Sequence, residues 1–215
     1  MTITNKVFTL ASFFVAISNG VHSQYTWELK SKEDSISVYV SEVANSNFKA
    51  FRASVILEAS GLHEIVAILI DVENFDKLFP DIRESRLLKK NGDKHIIHYL
   101  INNAPWPVDD REGIFELKGF YYPEFVKINF DCINYDYPVT KGVVRMTKGT
   151  GYWKISEIQK NLFEVIYQYH GEPSGKIPAW LANTVVVDHP INTLNNMKKI
   201  IASGKYKNAR VDFIK

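Results

Sequence analysis

The sequence predicts an α+β fold that combines one long antiparallel sheet with helices near its two ends. Apolar and polar residues alternate with a period of two along most of the chain, which is the pattern of half-buried strands. Helical spacing of apolar residues is confined to a short stretch after residue 60 and a long stretch near the C-terminus. Helices set apart from an antiparallel sheet are typical of the α+β class.

The composition narrows the functional classes. A chain of 215 residues is long enough to enclose an internal pocket. Its 26 basic and 24 acidic residues nearly balance, so we expect no nucleic-acid partner. Aromatic residues make up 13% of the sequence, which favours a wide apolar interior. Cys132 is the only cysteine, so no internal disulfide can form.

The first 23 residues have the pattern of a secretory signal peptide. Lys6 precedes the apolar run Val7–Ile17, and Val21 and Ser23 are suitably small residues before a cleavage site. The run of about 11 apolar residues is short for a bilayer-spanning helix of roughly 20, with an uncleaved anchor or a buried helix as the alternatives. We expect cleavage near Ser23, export to the periplasm or the extracellular space, and a single domain over residues 24–215.

Alternation predicts eight strands. In the run 48–59, Phe51 and Val55 share one face while Arg52 and Ser54 share the other. The other predicted strands are 35–40, 83–90, 94–101, 113–120, 125–134, 143–158 and 162–170. Within 143–158, the glycines of Gly149-Thr150-Gly151 predict a turn or a bulge.

The first helical region follows the second of these strands, 48–59. Ser60 is predicted to cap a helix from Gly61 to about Ile70, because serine oxygens accept hydrogen bonds from the free amides of a first turn. A short turn, Glu73–Leu78, follows and ends at Pro80.

The second helical region is a long helix from Pro178 to about Ala202. Pro190 falls inside it, removes one backbone hydrogen bond and clashes with the preceding turn. We therefore expect the helix to kink or to restart there, with Asp188 as the new cap.

Four segments carry a resemblance to a known family. They are DVENFDKLFPDI (71–82), APWPVDDREGIF (104–115), GVVRMTKGTGYWKI (142–155) and YQYHGEPSGKIPAWLAN (167–183). In order and spacing they resemble the START (StAR-related lipid-transfer) family, within the Bet v 1-like superfamily, and the resemblance extends from Trp27 to Ile201. It implies a helix-grip fold, in which a curved antiparallel sheet wraps around the long C-terminal helix and encloses a deep apolar tunnel for one lipid. Glu112 and Pro190 depart from the family pattern.

The charged segment around Arg111 is predicted to be the end of a loop and the start of a strand. Period two places Arg111, Phe115 and Leu117 on one face and Glu112 on the other, so neighbouring acids diverge. A pair of catalytic carboxylates would need to converge on one bond. We expect Arg111 to form an ion pair that anchors the base of the loop, with contact to a lipid polar group as the alternative.

The loop 102–110 corresponds, in the resemblance, to a mobile loop over the tunnel mouth. Pro105 and Pro107 restrict its backbone on either side of Trp106. We interpret the loop as a lid or a membrane-touching tip, with transient membrane contact. The alternative is that Trp106 plugs the edge of the core.

The sequence thus favours binding, and transfer, of a small hydrophobic ligand such as a lipid or a sterol, by a monomer without cofactor. The alternative is an enzyme of the polyketide cyclase or aromatase type that uses the same cavity. His95 and His98 point to opposite faces of a strand, so no metal site is expected. The predicted ligand-binding residues of the cavity and lid are Pro105, Trp106, Arg111, Phe115, Leu117, Ile128, Phe130, Val165, Tyr167, Leu181, Thr184, Val185 and Ile191.

Overall fold

One curved sheet dominates the computed structural model, which describes residues 25–104, 106–175 and 177–215. The strands are β1 (Glu28–Glu33), β2 (Ile36–Ser41), β3 (Ala50–Glu58), β4 (Ile82–Lys90), β5 (His95–Asn102), β6 (Arg111–Tyr122), β7 (Phe125–Cys132), β8 (Val144–Arg145), β9 (Lys148–Gln159) and β10 (Leu162–Glu172). The helices are α1 (Leu62–Ile70), α2 (Phe75–Leu78), α3 (Ala179–Ala182) and α4 (Val185–Ala202), with a 3-10 turn (Val72–Asn74) before α2. The predicted signal peptide, residues 1–23, lies outside the described residues.

The strands are ordered β1-β2-β3-β10-β9-β7-β6-β5-β4 across the sheet, and each neighbouring pair in this series is antiparallel. β8 adds a short parallel pairing with β6. The α+β class and the helix-grip architecture are therefore confirmed. None of the helices in the described part of the chain has the length and apolarity needed to cross a bilayer.

α4 covers the concave face of the sheet. Leu194 and Met197 are fully buried against it, together with strand residues such as Phe163. α1 packs beside α4 and contributes Ile65 and Val66 to the same core. Burial of a side chain of this size stabilises the fold by about 1.5–3 kcal/mol.

The predicted cap of α1 is wrong in detail. The Ser60 backbone N–H and Oγ both donate to the Glu64 carboxylate at 2.7 Å. The Ser60 hydroxyl therefore does not accept from a free amide of the first turn, as a capping serine would. Glu64 is only 3% exposed, so water cannot hydrate its carboxylate fully. The two donors of Ser60 replace that hydration with hydrogen bonds.

The break in the C-terminal helix lies earlier than expected. Pro190 sits inside α4, and the interruption falls at Asn183 and Thr184 rather than at Asp188. The Asn183 side chain accepts from the Lys49 backbone N–H at 3.0 Å, which ties the break to the segment before β3. The break therefore coincides with a tertiary contact rather than with the proline.

β9 runs without the predicted turn or bulge. Residues 149–151 pair in register with β10. A Cβ atom at Gly171 would lie 2.3 Å from the Tyr169 hydroxyl, and one at Gly149 would lie 2.6 Å from it. The glycines thus leave room for the Tyr169 ring, and the strand is interrupted instead at Met146 and Thr147.

The segment after α4 packs against the opposite end of the molecule from residues 102–110. Val211 is 3% exposed, and its N–H donates to His63 Nδ1 at 3.1 Å. Asp93 and Asp212 exchange two hydrogen bonds, each from a backbone N–H to the other's carboxylate, at 2.9 and 3.0 Å. These contacts fasten the C-terminal end of α4.

Candidate functional site

A cavity of about 300 Å³ lies between the concave face of the sheet and helices α3 and α4. Its wall is mainly apolar, as in typical small-molecule pockets of about 300–1,000 Å³. Aromatic side chains form much of it: Phe51, Phe75, Phe79, Phe115, Phe130 and Trp153.

Seven predicted ligand-binding residues lie on this wall. They come from β6, β7, β10 and the two C-terminal helices, and they are Arg111, Phe115, Leu117, Phe130, Tyr167, Leu181 and Val185. Three others, Ile128, Val165 and Ile191, are buried in the core instead of lining the cavity. Thr184, predicted as a residue of the cavity or lid, is exposed and does not line the cavity, and its hydroxyl donates to the Leu181 carbonyl at 2.7 Å.

The loop before β6 borders the cavity through Ala104 and Val108. Trp106 is 92% exposed, so the interpretation that it plugs the edge of the core is wrong. Pro105 lies outside the described residues. We call the opening of the cavity between the loop before β6 and α3 the mouth. On the α3 side, Trp180 is 70% exposed, a feature that the sequence did not predict. Two exposed indoles therefore flank the mouth.

Arg111 joins the two sides of the mouth. Its Nε donates to the Pro173 carbonyl and its Nη2 to the Ser174 carbonyl, both at 3.2 Å, and its Nη1 donates to the Asp109 carbonyl. The expected ion pair is therefore wrong, because main-chain carbonyls bind the guanidinium. Burial lowers the pKa of Arg111, while the carboxylates of Asp109 and Asp110 oppose this shift.

Glu112 points to the convex face, as period two predicts. It is fully buried and accepts from the Tyr99 hydroxyl at 2.7 Å, from the Thr140 N–H and from Arg145 Nε at 2.9 Å. Burial tends to raise the pKa of Glu112, but these hydrogen bonds outweigh burial and lower it. The carboxylates near Arg111 thus do not converge on the cavity.

Three polar side chains from distant parts of the chain meet on the cavity wall. His189 Nδ1 lies 2.8 Å from Asp81 Oδ2, and His189 Nε2 lies 3.4 Å from the Tyr167 hydroxyl. We call Asp81, His189 and Tyr167 the polar triad. Sequence analysis identified only Tyr167, although Leu181, Val185 and His189 follow each other at helical spacing.

His98 lies between the rings of Phe75 and Phe115, with ring centroids at 5.1 and 5.9 Å. It is 2% exposed, and desolvation lowers its pKa to about 3, so the imidazole is neutral at physiological pH. Its Nδ1 has no hydrogen-bond partner among the described residues. His95 lies on the opposite face and contacts Glu116 at 2.8 Å.

No protein-family model matches the chain. An uncharacterized protein of Pseudomonas aeruginosa is 34% identical over 173 residues, which cover 80% of this chain and 85% of that protein.

No cluster of three or more potential metal ligands occurs within residues 25–104, 106–175 and 177–215.

Solved structures give the same fold. A fragment of the STAR-related lipid transfer protein from Xanthomonas axonopodis is 33% identical, with a TM-score of 0.76 over 82% of this chain and 98% of that chain. Human StAR-related lipid transfer protein 5 is 13% identical, with a TM-score of 0.71 over 83% of this chain and 87% of that chain. By its identity to the bacterial protein over nearly that whole structure, and by the helix-grip fold around its cavity, this chain belongs to the START family.

Proposed function

We propose that the protein binds one apolar, lipid-like molecule in the cavity and exchanges it with membranes. The observation that carries this proposal is the aromatic cavity of about 300 Å³ beneath α3 and α4. Burial of roughly 400 Å² of apolar ligand surface at about 25 cal/mol per Å² would contribute about 10 kcal/mol before the costs of association. Useful affinity therefore requires no charged contact.

The mouth supports exchange at a membrane surface. Trp106 and Trp180 are exposed on two different segments that border the cavity, the loop before β6 and α3. Indole side chains combine an apolar body with a polar N–H and favour the boundary between lipid and water. The relatives from Xanthomonas axonopodis and human are named lipid transfer proteins, which agrees with this proposal.

Native mass spectrometry of the purified protein, with identification of any bound molecule, tests the proposal. We expect one apolar molecule per chain. Val186→Trp should abolish this binding, because Val186 lies on the cavity wall and the larger ring would occupy the space. The matched control is Asn192→Trp, on the exposed side of α4, which should retain the ligand.

Retention of the ligand by a folded Val186→Trp variant would place binding elsewhere and contradict the proposal. Conversion of a polyketide-like substrate by the purified protein would favour the cyclase or aromatase alternative instead.

A further inference from the structure

The polar triad provides a donor and an acceptor side by side on a mainly apolar wall. An ionised carboxylate only accepts hydrogen bonds, so at 2.8 Å from Asp81 Oδ2 the His189 Nδ1 must carry a hydrogen. In the neutral imidazole the other nitrogen, Nε2, is then an acceptor. The Tyr167 hydroxyl next to it is a donor.

The contact between these two groups is weak. The Tyr167 oxygen lies 3.4 Å from His189 Nε2, whereas strong hydrogen bonds from hydroxyl groups are about 2.7–2.8 Å long. Tyr167 is 4% exposed, so bulk water does not compensate for the long contact. Both groups therefore retain capacity for a shorter hydrogen bond.

We propose that His189 and Tyr167 together bind the hydroxyl group of an apolar alcohol, with Asp81 as the residue that fixes the imidazole. A hydroxyl group can donate to His189 Nε2 and accept from Tyr167 at the same time. A ketone can satisfy only the tyrosine, and a hydrocarbon satisfies neither. This assignment rests on the proposed function and names the ligand class of the same cavity.

The aromatic surroundings hold both groups in place. The Tyr167 ring stacks on Trp153, with centroids 3.9 Å apart and planes at 8°. The His189 ring is nearly parallel to Phe79, with centroids 6.1 Å apart and planes at 11°. Rings that are packed in this way lose little further freedom on binding, so the site is preorganised for its ligand.

Binding of matched probes tests the assignment. The probes are cholestanol and cholestanone, which differ at the hydroxyl, and octadecanol and octadecane as a flexible pair. One net hydrogen bond corresponds to about a tenfold change in affinity. We expect the wild type to bind cholestanol about tenfold more tightly than cholestanone, which loses one hydrogen bond. It should bind octadecanol about a hundredfold more tightly than octadecane, which loses both. His189→Leu should remove most of the preference for cholestanol over cholestanone, whereas Tyr167→Phe should weaken both sterols and keep that preference. Each variant should lower the preference for octadecanol over octadecane about tenfold.

Two further variants separate recognition from folding. Asp81→Asn changes a half-exposed side chain and should weaken alcohol binding while leaving the affinity for octadecane unchanged. Tyr152→Phe, the matched control, removes a hydroxyl that binds Gln168 away from the cavity and should retain the full preference. The comparison of alcohols with their partners on the wild type needs no variant to fold.

Equal affinity of the wild type for both members of each pair would overturn the hydroxyl assignment and leave the proposed function intact. Failure to bind any of these probes would overturn the assignment too. If the protein also retained no apolar molecule from its host, the proposed function would fail with it.

Discussion

Glu112 and Arg145 form an ion pair on the convex face of the sheet, with 2.8 Å between Arg145 Nη2 and Glu112 Oε1. The Glu112 side chain is fully buried, and that of Arg145 is 20% exposed. Arg145 also donates to the Pro138 carbonyl at 2.9 Å. The pair therefore attaches the segment between β7 and β8 to the back of the sheet.

We expect Glu112→Gln to lower the free energy of unfolding by roughly 3 kcal/mol, because it removes the charge that compensates a largely buried guanidinium. The control is Glu116→Gln, four residues along the same strand, whose partners Lys118 and His95 are more exposed. It should cost less than about 1 kcal/mol. Urea unfolding measures both, and equal losses would contradict the role of the buried pair.

His98 should make the protein less stable in acid. Its folded pKa of about 3 lies below the ordinary value of about 6.5, so the unfolded chain binds a proton between these values and the folded chain does not. The resulting loss begins as the pH falls through about 6.5 and continues toward 3. Between pH 7 and pH 5 we expect it to reach about 2 kcal/mol.

His98→Leu should remove about this much of the pH dependence, as measured by urea unfolding at both pH values. A His98→Leu variant with the same profile as the wild type would show that the imidazole does not remain neutral in the folded state.

Arg111→Leu should destabilise the protein by roughly 2–4 kcal/mol, because three carbonyl groups at the mouth lose a charged donor. Arg83→Leu is the matched control. The Arg83 side chain is 43% exposed and pairs with Asp110, so its loss should cost under about 1 kcal/mol. Thermal unfolding compares the two. Wild-type stability with lost ligand binding in Arg111→Leu would favour contact with a lipid polar group.

Replacing both exposed indoles at the mouth should slow exchange with membranes without changing the affinity for ligand in solution. We expect Trp106→Ser combined with Trp180→Ser to lower the rate of fluorescent-lipid transfer between vesicles several-fold. Ile158→Ser, at the end of β9 away from the mouth, removes exposed apolar surface elsewhere and should have little effect. Equal rates for all variants would exclude the two indoles from membrane contact.

The sequence of the first 23 residues predicts a mature N-terminus near Gln24 and a protein outside the cytoplasm. N-terminal sequencing of periplasmic or secreted material provides the measurement. An intact Met1 on a cytoplasmic product would be inconsistent with export.

The alternation of apolar and polar residues predicted most strands of the sheet, because most of these strands bury only one face. It placed Phe115 and Leu117 inward and Glu112 outward, as observed. β1 is the exception. Its sequence ELKSKE contains one apolar residue and its side chains are mainly exposed, since it lies at the edge of the sheet. A strand that buries no face leaves no alternation to detect.

The site was harder to predict than the sheet. Alternation indicates which face a residue occupies but not its distance from the cavity, so Ile128 and Val165 were expected on the wall and lie in the core. The contact between Asp81 and His189 joins residues 108 positions apart. Only the packing of α4 onto the sheet brings them together.

The position of α4 near the C-terminus also affects how the chain folds while it is being synthesised. Every strand of the sheet is made before the helix that covers its concave face, so the nascent chain carries an uncovered aromatic surface until α4 emerges. Such surfaces aggregate readily, and domains complete their folding only when their last element is available. Ribosome-bound chains that stop before Val185 should therefore depend on chaperones, whereas full-length chains should not.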